Sequence, residues 1–374
     1  MRIRKYNESI LIITPGLNGL GGVANYYNTM LPLLEDKAFS IDFLETGSAK
    51  GKGNPFYPIT DQLNLFKQLK KKPPILIHIN PSLDPKSFVR DGLLVYQAIH
   101  RKIPVVVFFH GWDIDFAQKI ERYFLRFFKS TFGKANAFIV LASEFKEKLR
   151  SWKISAPIFV ETTPVDPGLL DSFDIEKRIS AIIEKQTIRI LYLARIERNK
   201  GVFETVNAVS LLYDKGVPVS LSIAGDGSAK HDLKMYVQKL HMPAGTIKFL
   251  GYVKGKEKAS AFTDHDLYCF PTSYREGLPI SVLEALAFGM PVITCAVGGL
   301  ADIFCDNEMG FFVPPRDPEA IANAIEQMIT DRESMARMAQ YNHGYARENV
   351  IAPKVAARLL NIYQRTIESD GCIL

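Results

Sequence analysis

Two carboxylates, Glu276 and Glu284, stand eight positions apart around Gly277-Leu278-Pro279 in the segment 270–299, FPTSYREGLPISVLEALAFGMPVITCAVGG. Pro279 suits the first turn of a helix, where its missing N–H costs nothing. Leu283, Ala287 and Phe288 then recur at helical spacing until Gly289, a helix stop. Glu276 is therefore expected in a loop before the helix, and Glu284 on it. Paired carboxylates can run acid–base chemistry. A helix start between them, with free N–H groups and a positive dipole end, is instead a phosphate site. Acid, phosphate site, acid is an order that suits a sugar nucleotide.

Four further groups have types and spacings that bear on such a ligand. In ILYLARIERNKG (190–201) a strand delivers Arg195 and then Lys200 before Gly201 and a new helix. Two cations at a strand's carboxyl end, with only Glu197 as an obvious partner, can clamp a pyrophosphate or simply belong to a solvated loop. Gly16-Leu17-Asn18-Gly19-Leu20-Gly21-Gly22 lies between the first strand and a helix, as a phosphate cradle or as a tight turn. His110-Gly111 directly follows PVVVFF, which places a histidine either for chemistry or for a structural hydrogen bond. Gly225-Asp226-Gly227 reads as a turn in which Asp226 caps the next element. Asp113-Ile114-Asp115 could hold a metal through its carboxylates, but three-residue patterns recur by chance.

The elements that must position these groups are short Val- and Ile-rich runs alternating with helical patterns. Strands are expected at 10–14, 75–79, 104–109, 137–141 and 157–160, and again at 188–194, 219–224, 246–250, 267–270 and 291–294. Without strict polar alternation they are buried on both faces, as in a parallel sheet flanked by helices. Segment 164–187, with two prolines and several acids, breaks the rhythm and reads as an interdomain connection. The pattern predicts two doubly wound α/β domains in tandem, with ligands at the carboxyl ends of the strands.

A length of 374 residues and 47% hydrophobic content describe a globular protein with a sizeable core in each domain. No apolar run approaches the ~20 residues of a spanning helix. The opening MRIRKYNESILIITPG places charge before an apolar stretch, as a signal peptide does. Its apolar core, Ile10 to Ile13, is short and no small-residue cleavage site comes after it, so a first strand of a cytoplasmic protein is expected. Cys269, Cys295, Cys305 and Cys372 are scattered, which fits a reducing compartment better than a metal or disulfide framework. Cys372 has two residues after it and forms no prenylation box.

The formal charge of +6 divides unevenly: residues 1–150 hold 22 Lys and Arg against 13 Asp and Glu, and residues 151–374 hold 24 against 27. A basic first half suits an anionic surface or substrate. In 117–132 (AQKIERYFLRFFKSTF), Lys119, Arg122, Arg126 and Lys129 fall on one face at ~100° per residue, opposite Ile120, Phe124, Leu125, Phe127, Phe128 and Phe132. Such a helix lies either on an anionic membrane surface or against a core with its cations solvated. Lys67, Lys70, Lys71 and Lys72 carry the same ambiguity. No nucleic-acid-binding motif accompanies these groups.

In combination, the early glycine loop, His110-Gly111, LARIERNKG, GDG and EGLPISVLEALAFGMPVI resemble the retaining glycosyltransferases of family 4, in that family's order across nearly the whole chain. The resemblance implies the GT-B architecture, two facing Rossmann-like domains with a cleft between them. It implies an acceptor-binding domain over 1–165, a nucleotide-sugar domain over 166–350, and a last helix within 351–374 that crosses back. By position, Gly21, Gly22, Arg195, Lys200, Gly277, Leu278 and Pro279 would hold the donor diphosphate. Glu284 would hold the ribose, and Tyr252 and Val253 the base. Glu276 would grip the transferred sugar and His110 would line the reaction centre.

The resemblance also implies no catalytic metal and no cofactor, a nucleoside diphosphate sugar as donor, and a saccharide or polyprenyl-linked acceptor. Placement is cytoplasmic or peripheral at the inner membrane face, with 117–132 as the contact and no nucleic acid as partner. Retention is expected by front-face transfer guided by the leaving phosphate, with Glu276 as a covalent nucleophile the alternative. Hydrolysis or epimerisation of a sugar nucleotide, or silent binding of one, are the rival activities. The chain departs from the family pattern at Thr162-Thr163-Pro164, where Asn-Gly is common, and at Asp302, where Glu is common.

Overall fold

The computed structural model describes residues 9–17, 22–34, 39–47, 56–274 and 277–369. Residues up to Pro164, together with those from Ala352 onward, form one compact unit, and Val165–Ile351 form a second.

In the first unit the strands are β1 (Ser9–Pro15), β2 (Ser40–Thr46), β3 (Leu76–Ile79), β4 (Ser82–Leu83), β5 (Val105–Phe109), β6 (Gly111–Trp112), β7 (Ala137–Val140) and β8 (Ile158–Val160). Six form a parallel sheet in the order β2-β1-β3-β5-β7-β8, and β4 pairs with β6 beyond it. All five residues of β5, VVVFF, are buried, as a strand covered on both faces requires. The chain moves from β1 outward to β2 and then back past β1 to β3. The topological switch, where open α/β sheets bind ligands, therefore lies between β1 and β3.

The second unit holds β9 (Ile188–Leu193), β10 (Val219–Ala224), β11 (Ile247–Gly251), β12 (Leu267–Phe270), β13 (Val292–Thr294) and β14 (Gly310–Phe312). Its parallel order, β11-β10-β9-β12-β13-β14, is that of a dinucleotide-binding fold, with the switch between β9 and β12. The helix Val202–Asp214 returns the chain from β9, and the helix Ile280–Ala287 comes after β12.

Four strands lie outside the sequence expectation: the two-residue β4 and β6, and β2 and β14, which are sheet edges. In β2 (SIDFLET) Asp42 and Glu45 interrupt the apolar run, which an edge with one neighbour and partial exposure tolerates. β14 is only three residues long and begins at Gly310, where φ is +142° and a Cβ would fall 1.9 Å from the Val292 carbonyl oxygen. Only glycine lets β14 approach β13 there.

From Val165 onward, segment 164–187 is an ordered part of the second unit rather than a bare connection. Asp166 caps the 3₁₀ turn Pro167–Leu170, and Asp174 caps the helix Ile175–Glu184 by accepting from the N–H groups of Glu176 and Lys177. Two of the acids that suggest a linker, Asp166 and Asp174, are thus helix caps. Arg178 on that helix is buried and donates to the carbonyls of Phe262 and His265.

Segment 117–132 is likewise not one regular helix. A π turn, Ile120–Phe124, separates the helices Ile114–Lys119 and Leu125–Ser130, and the wider turn shifts the apolar phase. Ile120, Phe128 and Phe132 reach the core, and Leu125 and Phe127 pack partly against it. Phe124 turns outward beside Tyr123. Lys119, Arg122 and Arg126 are exposed and Lys129 is part-buried.

Candidate functional site

At the switch of the second unit, two loops are fastened together. Asn199, in the loop after β9, accepts at its carbonyl from Ser273 N–H at 3.0 Å and from the Ser273 hydroxyl at 3.1 Å, both in the loop after β12. Gly201 closes the first loop with φ at +79°, and a Cβ there would lie 2.3 Å from the Pro271 carbonyl oxygen. Glycine is therefore the condition for the loops to meet. Lys200 is consequently buried, with Nζ 4.1 Å from the centre of the Tyr274 ring. Arg195 stays at the surface and pairs with Glu197 at 3.0 Å. Gly225 and Gly227 crowd the same loop, so that Cβ atoms would lie 2.0 Å from the Ala194 and 2.3 Å from the Ile196 carbonyl oxygens. Asp226 does not cap the next helix: its carboxylate accepts from Gly227 N–H and pairs with Lys230 at 2.8 Å. Gly225 N–H donates to the Gly251 carbonyl, which leads into an exposed Tyr252 and a part-buried Val253.

The helix Ile280–Ala287 begins one position later than its sequence suggests, with Pro279 at the N-cap in extended conformation and no side-chain cap. The preceding loop is held by Gly299 N–H, which donates to the Gly277 carbonyl. Geometry common to all helix starts leaves the first N–H groups without intrahelical acceptors, a site for an anion. At the other end Gly289 (φ +60°) donates to Leu286 O and Met290 to Ala285 O, a Schellman closure. One turn in from the start, Glu284 is 2% exposed. Its Oε1 accepts from Lys258 Nζ on the helix Gly255–Thr263, and no donor among the described residues reaches Oε2. Burial raises the Glu284 pKa, and Lys258 works against that rise.

The first unit builds a second cluster at its own switch. Asn80, just past β3, donates through Nδ2 to the Ile13 carbonyl at 3.0 Å. Its Oδ1 accepts from Tyr27 Oη at 2.8 Å and from His110 Nε2 at 3.0 Å. With the amide so oriented, His110 carries its proton on Nε2 and offers Nδ1 as an acceptor. Beneath it, His78 Nδ1 meets the hydroxyl of Tyr363 on the helix Ala352–Ser369. Gly22, exposed, starts the helix Gly22–Leu34. In the Asp113-Ile114-Asp115 triplet, Asp113 caps the helix Ile114–Lys119, accepting from Phe116 N–H at 2.9 Å. No group of three or more possible metal ligands occurs among the described residues.

Burial and the neighbouring His110 hold the His78 pKa down at about 3, and burial holds His110 at about 3. Unfolded histidine titrates near ~6.5. Between those values the unfolded chain binds protons that the fold refuses. The stability these neutral histidines contribute is therefore full above pH ~6.5 and is lost as pH falls toward the folded values. Each such group costs about 1.4 kcal/mol per pH unit in that window, with His78, which has no accessible surface, carrying the larger share over part-exposed His110. Denaturant midpoints at pH 7, 6 and 5 should fall in order and flatten in His78→Gln. A wild-type midpoint independent of pH would contradict this.

The structure thus brings Arg195, Lys200, Gly277, Leu278, Pro279, Glu284, Tyr252 and Val253 into the second unit, around the carboxyl ends of β9, β11 and β12. His110 and Gly22 belong to the first unit. Glu276 and Gly21 lie outside the described residues. Sequence reading missed Asn80, Lys258 and Tyr274. Asn80 does have a sequence signal, because it ends the buried run ILIHI as His110 ends VVVFF.

Comparison with known proteins agrees with this fold. A model described as "Glycosyltransferase Family 4" matches residues 35–169, and one described as "Glycosyl transferases group 1" matches 173–344. The glycosyltransferase TuaC of Bacillus subtilis, named for teichuronic acid biosynthesis, is 29% identical over 228 residues, 60% of this chain and 54% of TuaC. The capsular polysaccharide biosynthesis glycosyltransferase CapM of Staphylococcus aureus is 27% identical over 204 residues, 54% of this chain and 52% of CapM. The chain spans about half the length of these curated relatives. Sucrose-phosphate synthase of Thermosynechococcus elongatus shares the fold with a TM-score of 0.75 at 17% identity, covering 97% of this chain and 100% of that one. HepE of Anabaena, solved with UDP-glucose, does so with 0.72 at 16%, covering 96% and 99%. With both units matched by family models in tandem and the fold shared with these structures, the chain belongs to glycosyltransferase family 4 and has the GT-B fold.

Proposed function

We propose that the protein is a retaining, metal-independent glycosyltransferase that moves a sugar from a nucleoside diphosphate donor to a saccharide or lipid-linked acceptor. The observation that carries this reading is Glu284. A buried carboxylate with one oxygen on Lys258 and the other without a protein donor, one turn past an anion-binding helix start, suits a ribose hydroxyl. Lys200, Arg195 and the N–H groups from Gly277 onward would balance the diphosphate, and Gly21 and Gly22 would be its remaining contacts. Tyr252 and Val253 would flank the base, and Glu276 would hold the hydroxyls of the transferred sugar.

In the transfer, the bond from the anomeric carbon to the phosphate oxygen breaks and a bond to the acceptor oxygen forms on the same face. The acceptor's proton passes to the departing phosphate. Fixed positive charge matters most as that phosphate leaves. His110, held neutral, would line the centre as a hydrogen-bonding group rather than as a cation. The names of TuaC and CapM point to surface polysaccharide assembly, and HepE's UDP-glucose to the donor class. A polyprenyl-linked acceptor would bring the enzyme to the inner membrane face, with the cations of 117–132 as one contact. No helix among the described residues is long and apolar enough to cross a membrane.

Glu276→Ala should abolish transfer while donor binding survives, and wild-type turnover should resist EDTA and keep the anomeric configuration by NMR. Turnover that proceeds equally without acceptor would mark a hydrolase and sink the transferase reading.

A further inference from the structure

Two neighbouring helices of the first unit, Tyr57–Lys71 and Phe88–His100, keep apolar side chains at the surface in matching positions. Ile59, Leu63 and Phe66 are 59, 52 and 48% exposed, and Val89, Leu93 and Tyr96 are 56, 41 and 43% exposed. Each set runs i, i+4, i+7, a single stripe along a helix. The next position on each stripe is Lys70 and His100. These are not core stripes turned loose, because the inward faces already bury Leu65 and Leu69 on one helix and Leu94, Val95 and Ala98 on the other. Gln97 donates to Gln62 Oε1 at 2.6 Å, and the Arg101 guanidinium lies 4.6 Å from the centre of the Phe66 ring. Pairing 62 with 97 and 66 with 101 sets the helices side by side and parallel, so the two stripes adjoin.

The exposed charge carried by these two helices has one sign, and beside them Asp42 of β2 pairs with Lys72 at 2.8 Å. Segments 56–72 and 86–102 contain two acids, Asp61 and Asp91, and both are buried. Asp61 accepts from Gly47 N–H and Asp91 pairs with Arg90. The exposed charges include Lys67, Lys70, Lys71, Lys86 and Lys102. Apolar stripes with aromatic members, bordered by lysines and with no exposed acid on either helix, match the chemistry of an anionic lipid interface. A second copy of the chain would instead bring like charges together.

We propose that this paired-helix face docks the protein on an anionic bilayer, with the apolar stripes entering the boundary between headgroups and acyl chains and the lysines meeting lipid phosphates. It places the contact on elements other than 117–132. It rests on the lipid-linked-acceptor reading for its purpose alone, since it needs no donor.

The test is flotation of the full chain with phosphatidylglycerol–phosphatidylcholine vesicles and with phosphatidylcholine alone. Wild type should float with the anionic vesicles and about tenfold less with neutral ones. Leu63→Ser/Leu93→Ser, and separately Lys67→Gln/Lys70→Gln/Lys71→Gln, should each cut flotation about tenfold. Neutralising Lys119, Arg122, Arg126 and Lys129 to Gln should leave most of it. Thermal stabilisation by nucleotide sugars, read on the same variants, should be unchanged, which separates this proposal from the donor reading. Wild type that stays at the bottom with anionic vesicles, including as a dimer by light scattering, overturns it. So do stripe variants that float as wild type does.

Discussion

Lys200→Met is expected to lower kcat/KM by about 10²–10³-fold, the scale seen when one preorganised stabiliser of a developing charge is removed. The ammonium is buried at the closure of the β9 loop, above the Tyr274 ring. Methionine keeps the packing of the stem and removes the charge together with its contact to the Tyr274 ring, and a melting curve separates lost charge from lost fold. Lys200→Arg should not restore activity, because the larger planar guanidinium cannot occupy a point-charge position enclosed by two fastened loops. Steady-state kinetics with saturating acceptor, beside a melting curve, decide it. A Lys200→Met enzyme with more than half the wild-type kcat/KM would remove the diphosphate from this loop.

Glu284→Gln should raise the donor dissociation constant about 10–100-fold, the equivalent of one hydrogen bond to a charged group. At saturating donor kcat should hold, because a ribose contact is made equally in ground and transition states. Lys258→Met is the structural control. It leaves a carboxylate that is 2% exposed without its ion partner, at a cost of about 3–5 kcal/mol. In the double variant, stability should return toward wild type while donor affinity stays low. If Glu284→Gln binds donor as wild type does, Glu284 is only half of a structural ion pair.

The legible and the illegible parts of the sequence divide along physical lines. β5 before His110 and β9 before Arg195 and Lys200 are central strands, whose burial on both faces forces continuous apolar runs that end sharply at polar residues. β2 and β14 are edges, where Asp42, Glu45 and a three-residue length leave no such run. The helix start after Gly277 is legible from Pro279 and the apolar period after it, although the helix begins at Ile280. The partners are not legible. Lys258 sits on a polar helix 26 positions from Glu284. Asn80 is marked only as the end of a buried run, and nothing in the sequence shows that Tyr27 and His110 converge on it. The π turn at Ile120–Phe124 has no periodic signature and breaks the single amphipathic face expected of 117–132. Asp166 and Asp174 read as linker acids although they are caps, because the helix that each begins is short or mixed in composition.

The central claim is that the switch between β9 and β12 holds a nucleoside diphosphate sugar. Its most direct test is thermal stabilisation of wild type and Glu284→Gln by UDP, GDP, ADP and their sugars, since a ligand that binds only the folded state raises the melting temperature. One nucleotide series should raise the wild-type melting temperature by several degrees, and the same concentration should do markedly less for Glu284→Gln. A wild type indifferent to every series at millimolar concentration, or a Glu284→Gln response equal to wild type, would contradict the account.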